Sequence, residues 1–380
     1  MSENPDLILY DVAILGLGAM GSAAAYHLAR RGVNVLGLDQ FDPPHTFGSS
    51  HGETRVIREA YFEHPTYVPL VQRAYELWAE LEQDAQESLY LKTGGIMIGA
   101  ADSTVVRGAT QSAREHGLEH QVLDATAIEE RFPALRPERE MLGVLEPRAG
   151  ILFSEKCIAA HIKIARILGA EICTQQKVLD WTIHSDHVSI RTATHWFRAR
   201  KIIVTAGPWI GGLVPEMSRH LQIERQVLLW FEAASPELFS ADRFPIHLWE
   251  YEPDKMFYGF PDLGSGVKVA FHHQGVVTKP DSVNREITAS DVESMRQLLA
   301  RYLPAANHRL LRGTVCLYTN TPDGHFILDQ HPQSDRVILA SPCSGHGFKF
   351  ASAIGEALAD LVLDGRSQLD LSFFRLSRFQ

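Results

Sequence analysis

Four groups of residues in this chain have types and spacings that could carry chemistry. Gly16-Leu17-Gly18-Ala19-Met20-Gly21 has the G-x-G-x-x-G pattern. There the first glycine makes a tight turn, the second lets backbone approach a pyrophosphate, and the third lets a helix pack on a strand. Asp39 follows at the spacing of an acidic residue that binds ribose hydroxyls, about 20 positions on. An acid there disfavours a 2′-phosphate, so NADP is disfavoured while FAD and NAD stay open. The second group is Arg55 and Arg58 in "HGETRVIR" (51–58). Guanidinium groups suit fork-like binding of a carboxylate, and residues three apart share a face if the segment is helical. Two arginines in isolation ordinarily mark a solvated loop. The third is Lys268 in "GVKVAFHH" (266–273), a lone cation in an otherwise apolar strand pattern. In a strand it shares one face with Ala270 and His272, while Val267, Val269 and Phe271 share the other. Such a lysine ordinarily faces solvent. The fourth is Cys316 in "GTVCLYTNTPDGHF" (313–326), a strand at Gly313–Thr319 running into a turn at Asn320–Gly324. A free cysteine in a strand is ordinarily a small buried hydrophobe.

Regular elements must position these groups. "DVAIL" (11–15) reads as a buried strand, "AMGSAAAYHLARR" (19–31) as an Ala-rich helix stopped by Gly32, and "VNVLGL" (33–38) as a second strand. That is a βαβ unit, and it places the glycine pattern at a helix N-terminus, where unpaired N–H groups favour phosphate. In 67–83, Leu70, Ala74, Leu77, Trp78 and Leu81 recur with a helical period. "KIIVTAGPWI" (201–210) and "RVILAS" (336–341) read as further buried strands. Residues 348–365 read as a helix with Phe350, Ile354, Leu358 and Leu361 on one face and Gly365 as its stop. Residues 222–274 alternate apolar and polar types with many aromatics, the pattern of an antiparallel sheet. Dinucleotide-type elements thus come at the start, middle and end, with a sheet threaded between them.

Bulk properties narrow the function classes. The chain has 380 residues, two or three domains at about 150 residues each. A hydrophobic fraction of 45% with 22% charged residues is that of a globular protein. With 46 acidic against 36 basic residues, the net charge of -10 argues against a nucleic-acid partner or an anionic-membrane anchor. The start carries acidic residues before its apolar run, unlike a secretory signal, and glycines interrupt that run. The expectation is a soluble, cytoplasmic protein. Cys157, Cys173, Cys316 and Cys343 lie far apart without a CxxC, which is neither a disulfide scaffold nor a zinc framework. Cys157 and Cys173 are expected in packed structure.

Three segments in order, "FDPPHTFGSSHGETRVIREAY" (41–61), "CLYTNTPDGHFILD" (316–329) and "SGHGFKF" (344–350), resemble the monomeric sarcosine oxidase and N-methyltryptophan oxidase family. The resemblance spans nearly the whole chain, down to the closing "FFRLSRFQ". It implies a mixed α/β flavoprotein with a Rossmann-type FAD-binding domain and an interleaved antiparallel-sheet substrate domain. The corresponding division is 1–85, 145–220 and 310–380 for FAD, and 86–144 and 221–309 for substrate. The implied activity is oxidation of secondary, usually N-methyl, amino acids by O2, giving an imine that hydrolyses to amino acid and aldehyde, with hydrogen peroxide as co-product. The implied state is a monomer.

The resemblance also assigns roles. FAD would be held by Gly16, Gly18, Gly21, Asp39, Ser50, His51, Thr54, Val178, Gly345, Gly347 and Lys349, with a thioether to Cys316. Arg58 and Lys349 match the clamp on the substrate carboxylate, and Arg55 a residue packed near the flavin ring. Lys268 matches a lysine that assists reaction with O2, where a cation stabilises developing superoxide. Tyr258 and His272 match a tyrosine and a histidine of the substrate pocket, and Tyr258 is expected to pair across a hairpin close to Lys268. The two glycines of "SGHGFKF" precede a helix whose N–H groups and dipole favour an anion. Three positions depart from the pattern: Ser50-His51 stands where some members have two histidines, Glu59 replaces a histidine, and Pro342-Cys343 replaces Gly-Phe. The alternatives are an oxidase of glycated (fructosyl) or cyclic secondary amino acids, and a non-catalytic dinucleotide-binding redox protein.

Overall fold

A computed structural model describes residues 8–379. The strand Leu9–Leu15 is buried along most of its length, as a run of branched apolar residues demands. It lies between two parallel neighbours, Val35–Leu38 and Trp196–Val204. The sheet continues beyond Val35–Leu38 to Glu171–Cys173. Trp196–Val204 changes partner midway: Val188–Thr192 pairs antiparallel with its first half, and Ser334–Ser341 pairs parallel with its last three residues. With Val178–Ile183 and Ile327–His331 this makes an eight-stranded sheet. The expected βαβ unit is present, with its helix at Ala19–Arg30.

Helices cover one face of this sheet. Ala19–Arg30 packs against Ala351–Asp364 so closely that a Cβ on Gly355 would sit 2.5 Å from the Ala23 Cβ. The helix Tyr67–Ala85 buries Leu70, Ala74, Leu77, Trp78 and Leu81, the expected face. Trp78 Nε1 donates to the Lys349 carbonyl at 2.9 Å, which fixes the backbone of a candidate site residue to this helix. The segment 348–350 is a single 3-10 turn leading into Ala351–Asp364, which ends at Gly365 with φ 71. Cys157 is fully buried, whereas Cys173 is only half-buried on a short outer strand of the sheet.

A second, nine-stranded sheet holds the aromatic-rich segments. Gln222–Phe231, Val267–His272, Lys255–Gly259 and Ile246–Glu252 are successive antiparallel neighbours, and Gly95–Ala100 joins parallel to Ile246–Glu252. The strand Leu310–Asn320, which carries Cys316, belongs to this sheet rather than to the first, pairing with Gln222–Phe231 along nearly its full length. Val267 and Val269 face a core with Trp249, Phe257, Met295 and Tyr302, so the opposite face carries Lys268, Ala270 and His272 toward the interior between the sheets. A third sheet, of three short strands, joins Thr54–Ile57 to Gly150–Phe153 and Tyr90–Lys92. Arg55 therefore sits in a strand, not on a helix. Thr54, Val56 and Ile57 are β-branched and favour that conformation. Among the described residues no helix is long and apolar enough to cross a membrane.

Candidate active site

One cavity of about 370 Å³ runs between the two large sheets. Its walls include Gly16, Gly18, Asp39, Ser50, Arg55, Arg58, Val178, Tyr258, His272, Cys316, Gly345, Gly347 and Lys349. Thirteen residues singled out in sequence thus meet in one space. Gly21, His51, Thr54 and Lys268 stand behind its walls. Gly21 is a packing position, since a Cβ there would fall 1.8 Å from the Gly16 carbonyl oxygen.

At one end, the helix Ala19–Arg30 begins without a side-chain cap from Gly18, and of its first-turn N–H groups that of Ala19 donates to Ser50 Oγ at 3.4 Å. A Cβ on Gly18 would meet nothing closer than Ser50 Oγ at 3.7 Å, so the space before it is clear of protein. Asp39 is anchored by Leu17 N (2.7 Å) and Phe41 N (2.8 Å), each on a different carboxylate oxygen. Burial raises its pKa against those two bonds. A clear glycine turn, an open helix N-terminus and a fixed acid suit the pyrophosphate and ribose of a dinucleotide, so the residues present fit FAD.

The middle of the cavity is built on a turn. Arg55 donates to the carbonyls of Ser49 (2.9 Å) and Thr54 (2.8 Å), and its Nη2 lies 3.5 Å from Cys316 Sγ. None of these partners is a carboxylate, so the guanidinium presents net positive charge. Cys316 Sγ also donates to Ser49 O at 3.4 Å. Burial pushes this thiol up while Arg55 draws it down. Lys268 lies beneath the turn and donates to Gly52 O (2.6 Å), Thr54 O (2.8 Å) and Thr54 Oγ1 (2.9 Å). Burial and then Arg55 lower its pKa well below the ordinary value. Three acceptors nevertheless match the three protons of an ammonium. The expected pairing near Lys268 is present: Tyr258 opposes Ala270, and Phe260 N donates to Lys268 O. His51 is buried, among the described residues its Nε2 has no hydrogen-bond partner, and burial lowers its pKa to about 4.

The far end carries opposed charges. Arg58, 3% exposed, donates from Nη1 to Ala60 O (2.9 Å) and from Nη2 to both oxygens of Glu63 (2.9 and 2.7 Å). Its guanidinium carbon lies over the rings of Tyr61 and Phe62, 4.3 and 4.4 Å from their centroids. Lys349 Nζ donates to His346 O (2.6 Å) and Tyr61 OH (3.2 Å). A carbonyl can only accept, so His346 Nε2 carries the proton donated to Gly324 O, and Nδ1 accepts from Tyr61 OH at 2.6 Å. Burial, then Arg58, lower the Lys349 ammonium to about 7. Burial opposes the charge on Glu63, yet Arg58 and then Lys349 hold it below the ordinary carboxylate value. His272 is held well below its ordinary value by burial, then by His273, and is neutral; its Nδ1 lies 3.4 Å from Tyr318 OH.

Sequence reasoning passed over Glu63, Tyr318 and His346. Tyr318 was accessible to it, two residues from Cys316 and therefore on the same strand face. His346 sits inside the "SGHGFKF" segment. Glu63 follows Arg58 at a spacing that carries no helix or strand signal.

Comparison with known proteins shows the family and the fold. The family model of FAD dependent oxidoreductases matches residues 11–361. The chain is 39% identical over 372 residues to a monomeric sarcosine oxidase of Streptomyces avermitilis, covering 96% of each. It is 38% identical over 374 residues to an N-methyl-L-tryptophan oxidase of Escherichia coli, covering 98% of this chain and 100% of that one. The solved structure of NikD, an unusual amino acid oxidase essential for nikkomycin biosynthesis, shares the fold, with a TM-score of 0.84, 22% identity and coverage of 96% and 97%.

Proposed function

This chain belongs to the FAD dependent oxidoreductase family, and from that premise we propose that it oxidises secondary amino acids of the sarcosine or N-methyltryptophan type, with O2 as acceptor. One observation carries the reading. Two buried cations, Arg58 and Lys349, stand on the wall of the cavity that begins at Gly16 and Gly18 and passes Cys316. A cationic pair beside a dinucleotide-sized space selects a substrate with a carboxylate.

Gly16, Gly18 and the first turn of the helix behind them would hold the pyrophosphate of FAD, and Asp39 its ribose. Ser50, Val178, Gly345 and Gly347 would line the remaining contacts, with His51 and Thr54 supporting them from behind. Cys316 Sγ is the proposed covalent attachment. Bound FAD supplies a two-electron acceptor that O2 re-oxidises.

The protein's own residues then divide the work. Arg58 and Lys349 bind the carboxylate. Tyr258 and neutral His272 flank the amine and bring no charge to it. Glu63 is an anion on the same wall, but Arg58 occupies both its oxygens. The amine therefore meets no free carboxylate that would hold it as an ammonium, and only the neutral amine gives up hydride. Arg55 keeps positive potential beside Cys316, and Lys268 supplies a second cation behind it. The eight-stranded sheet would serve the dinucleotide and the nine-stranded sheet the substrate, in a cytoplasmic monomer.

The test is a peroxide-coupled panel of N-methyl, cyclic and glycated amino acids with the purified yellow protein. Peroxide release with sarcosine or N-methyltryptophan is expected. Turnover of fructosyl amino acids alone, or of nothing in the panel, overturns the reading.

A further inference from the structure

Arg58 does not hold its position unaided. Its Nη1 rests on the carbonyl of Ala60 and its Nη2 on Glu63, so residues 59–63 form a cuff around its own guanidinium. That cuff is irregular backbone between the strand Thr54–Ile57 and the helix Tyr67–Ala85, and no strand ladder fixes it. Its fixed point is Glu146. One oxygen of the Glu146 carboxylate accepts from Glu59 N and the other from Ala60 N, both at 2.7 Å.

Glu146 is 1% exposed and closes the strand Met141–Glu146, where it opposes Gly95 in the nine-stranded sheet. Burying a carboxylate without an ion pair is costly, and here two backbone N–H donors, those of Glu59 and Ala60, offset that cost. The geometry explains why a carboxylate is used. Consecutive amides that point the same way need two coplanar acceptors, and a glutamine offers one acceptor and one donor. The charged groups around it are Glu59, Arg58 and Arg148, with the phenols of Tyr75 and Tyr90. Arg148 pairs with Glu59 at 2.9 Å and Arg58 with Glu63 at 2.7 Å, so among the described residues neither cation forms an ion pair with Glu146, although the Arg58 charge favours its ionised form.

We infer that Glu146 is a positioning residue for substrate recognition: by pinning Glu59 and Ala60 it fixes where Arg58 enters the cavity, and hence the affinity for the carboxylate. The inference rests on the proposed function, because it assumes that Arg58 meets a substrate carboxylate. Glu146 touches no part of the cavity and takes no part in chemistry at the amine. Its effect falls on binding through Arg58 and not on the rate of the bound substrate.

The flavin-containing Glu146→Gln variant tests this against wild type. The dissociation constant of propionate, read from the visible flavin spectrum, should rise about tenfold or more, because the released 59–63 segment shifts the ligand-free protein toward conformers that must be re-ordered on binding. KM for the N-methyl amino acid should rise in parallel while kcat stays within about threefold. Binding of a carboxylate-free secondary amine should not change. Equal weakening of both ligand classes, or an unchanged propionate constant, overturns the inference. Where the variant fails to fold, hydrogen exchange on wild type decides: slow exchange at the amides of Glu59 and Ala60 is expected, and rapid exchange typical of exposed loops refutes the pinning. Wild type that turns over no N-methyl amino acid refutes the proposed function instead, which separates the two failures.

Discussion

Glu63 holds one nitrogen of Arg58 with both of its carboxylate oxygens, at 2.9 and 2.7 Å, on the wall of the cavity where a substrate carboxylate is proposed to bind. An incoming carboxylate must compete with that internal anion. Glu63→Gln removes the negative competitor at nearly constant volume. Propionate should then bind about tenfold tighter. The ligand-free variant should be less stable by about 3 kcal/mol, because a buried guanidinium loses its counter-charge. Saturating propionate should restore much of that loss through linkage. Titration by flavin absorbance and thermal melts with and without propionate check both parts. Weaker propionate binding by the variant would show that Glu63 assists the carboxylate and does not oppose it.

Lys349 makes binding depend on pH. Its pKa is lowered to about 7 from the ordinary lysine value, by burial first and by Arg58 second. Its charge is therefore present below about pH 7 and lost as pH rises through that value. A simple carboxylate such as propionate is ionised throughout the range from about pH 6 to 9, so its own titration does not intervene. Its affinity should fall as pH rises through about 7. Lys349→Met should bind it at least tenfold more weakly at pH 6 and flatten the profile. A variant that keeps the wild-type pH dependence would assign the titration to another group.

Cys316 separates a packed thiol from a covalent anchor. It is buried against Leu228, Trp230 and Ala270, with Arg55 Nη2 at 3.5 Å. Cys316→Ser and Cys316→Ala should fold with a loss of about 1 kcal/mol, an ordinary cost for a small buried side chain. Wild type precipitated with acid should keep its yellow colour in the pellet, and both variants should release all flavin to the supernatant. Acid-stable flavin in either variant would move the attachment to another residue.

How far the site could be read from sequence follows from how each residue is placed. Gly16, Gly18 and Asp39 declare themselves through local spacing, because strand, turn and helix are adjacent in the chain. The alternation of "GVKVAFHH" put Lys268, Ala270 and His272 on one face, and that face is buried as a set. What alternation could not supply was which face meets solvent, since the Lys268 acceptors lie more than 200 residues away at Gly52 and Thr54. The shared face of Arg55 and Arg58 was conditional on a helix, and that condition is not met for a related reason. Thr54–Ile57 is rich in β-branched residues and pairs as a strand with Gly150–Phe153, a segment about 100 residues away in sequence. Glu146 was illegible, because its bonds to Glu59 and Ala60 span 87 and 86 residues of sequence. Local pattern therefore located the dinucleotide end, while the carboxylate end depended on contacts between distant segments and was reached in sequence only through family resemblance.

Lys268 carries the last prediction. Its Nζ stands behind the cavity wall, 3.8 Å from the point where a Cβ on Gly52 would lie, with Arg55 Nη1 3.5 Å from the same point. It is thus a cation beside the Arg55 end of the site and also the support for the turn at 52–54. Lys268→Met removes both functions. The lost support leaves Gly52 O, Thr54 O and Thr54 Oγ1 without their donor, and about 2 to 4 kcal/mol of stability should go with it. The lost charge should act differently: a cation close to the reacting centre stabilises superoxide as it forms, so reoxidation by O2 should slow at least a hundredfold. Anaerobic reduction by substrate should slow less than tenfold. Lys268→Arg keeps a cation in the same place and should recover part of the reoxidation rate even if the turn is disturbed. Stopped-flow traces of both half-reactions distinguish the roles. If both half-reactions slow to the same degree in Lys268→Met and Lys268→Arg, the lysine is a support for the turn alone.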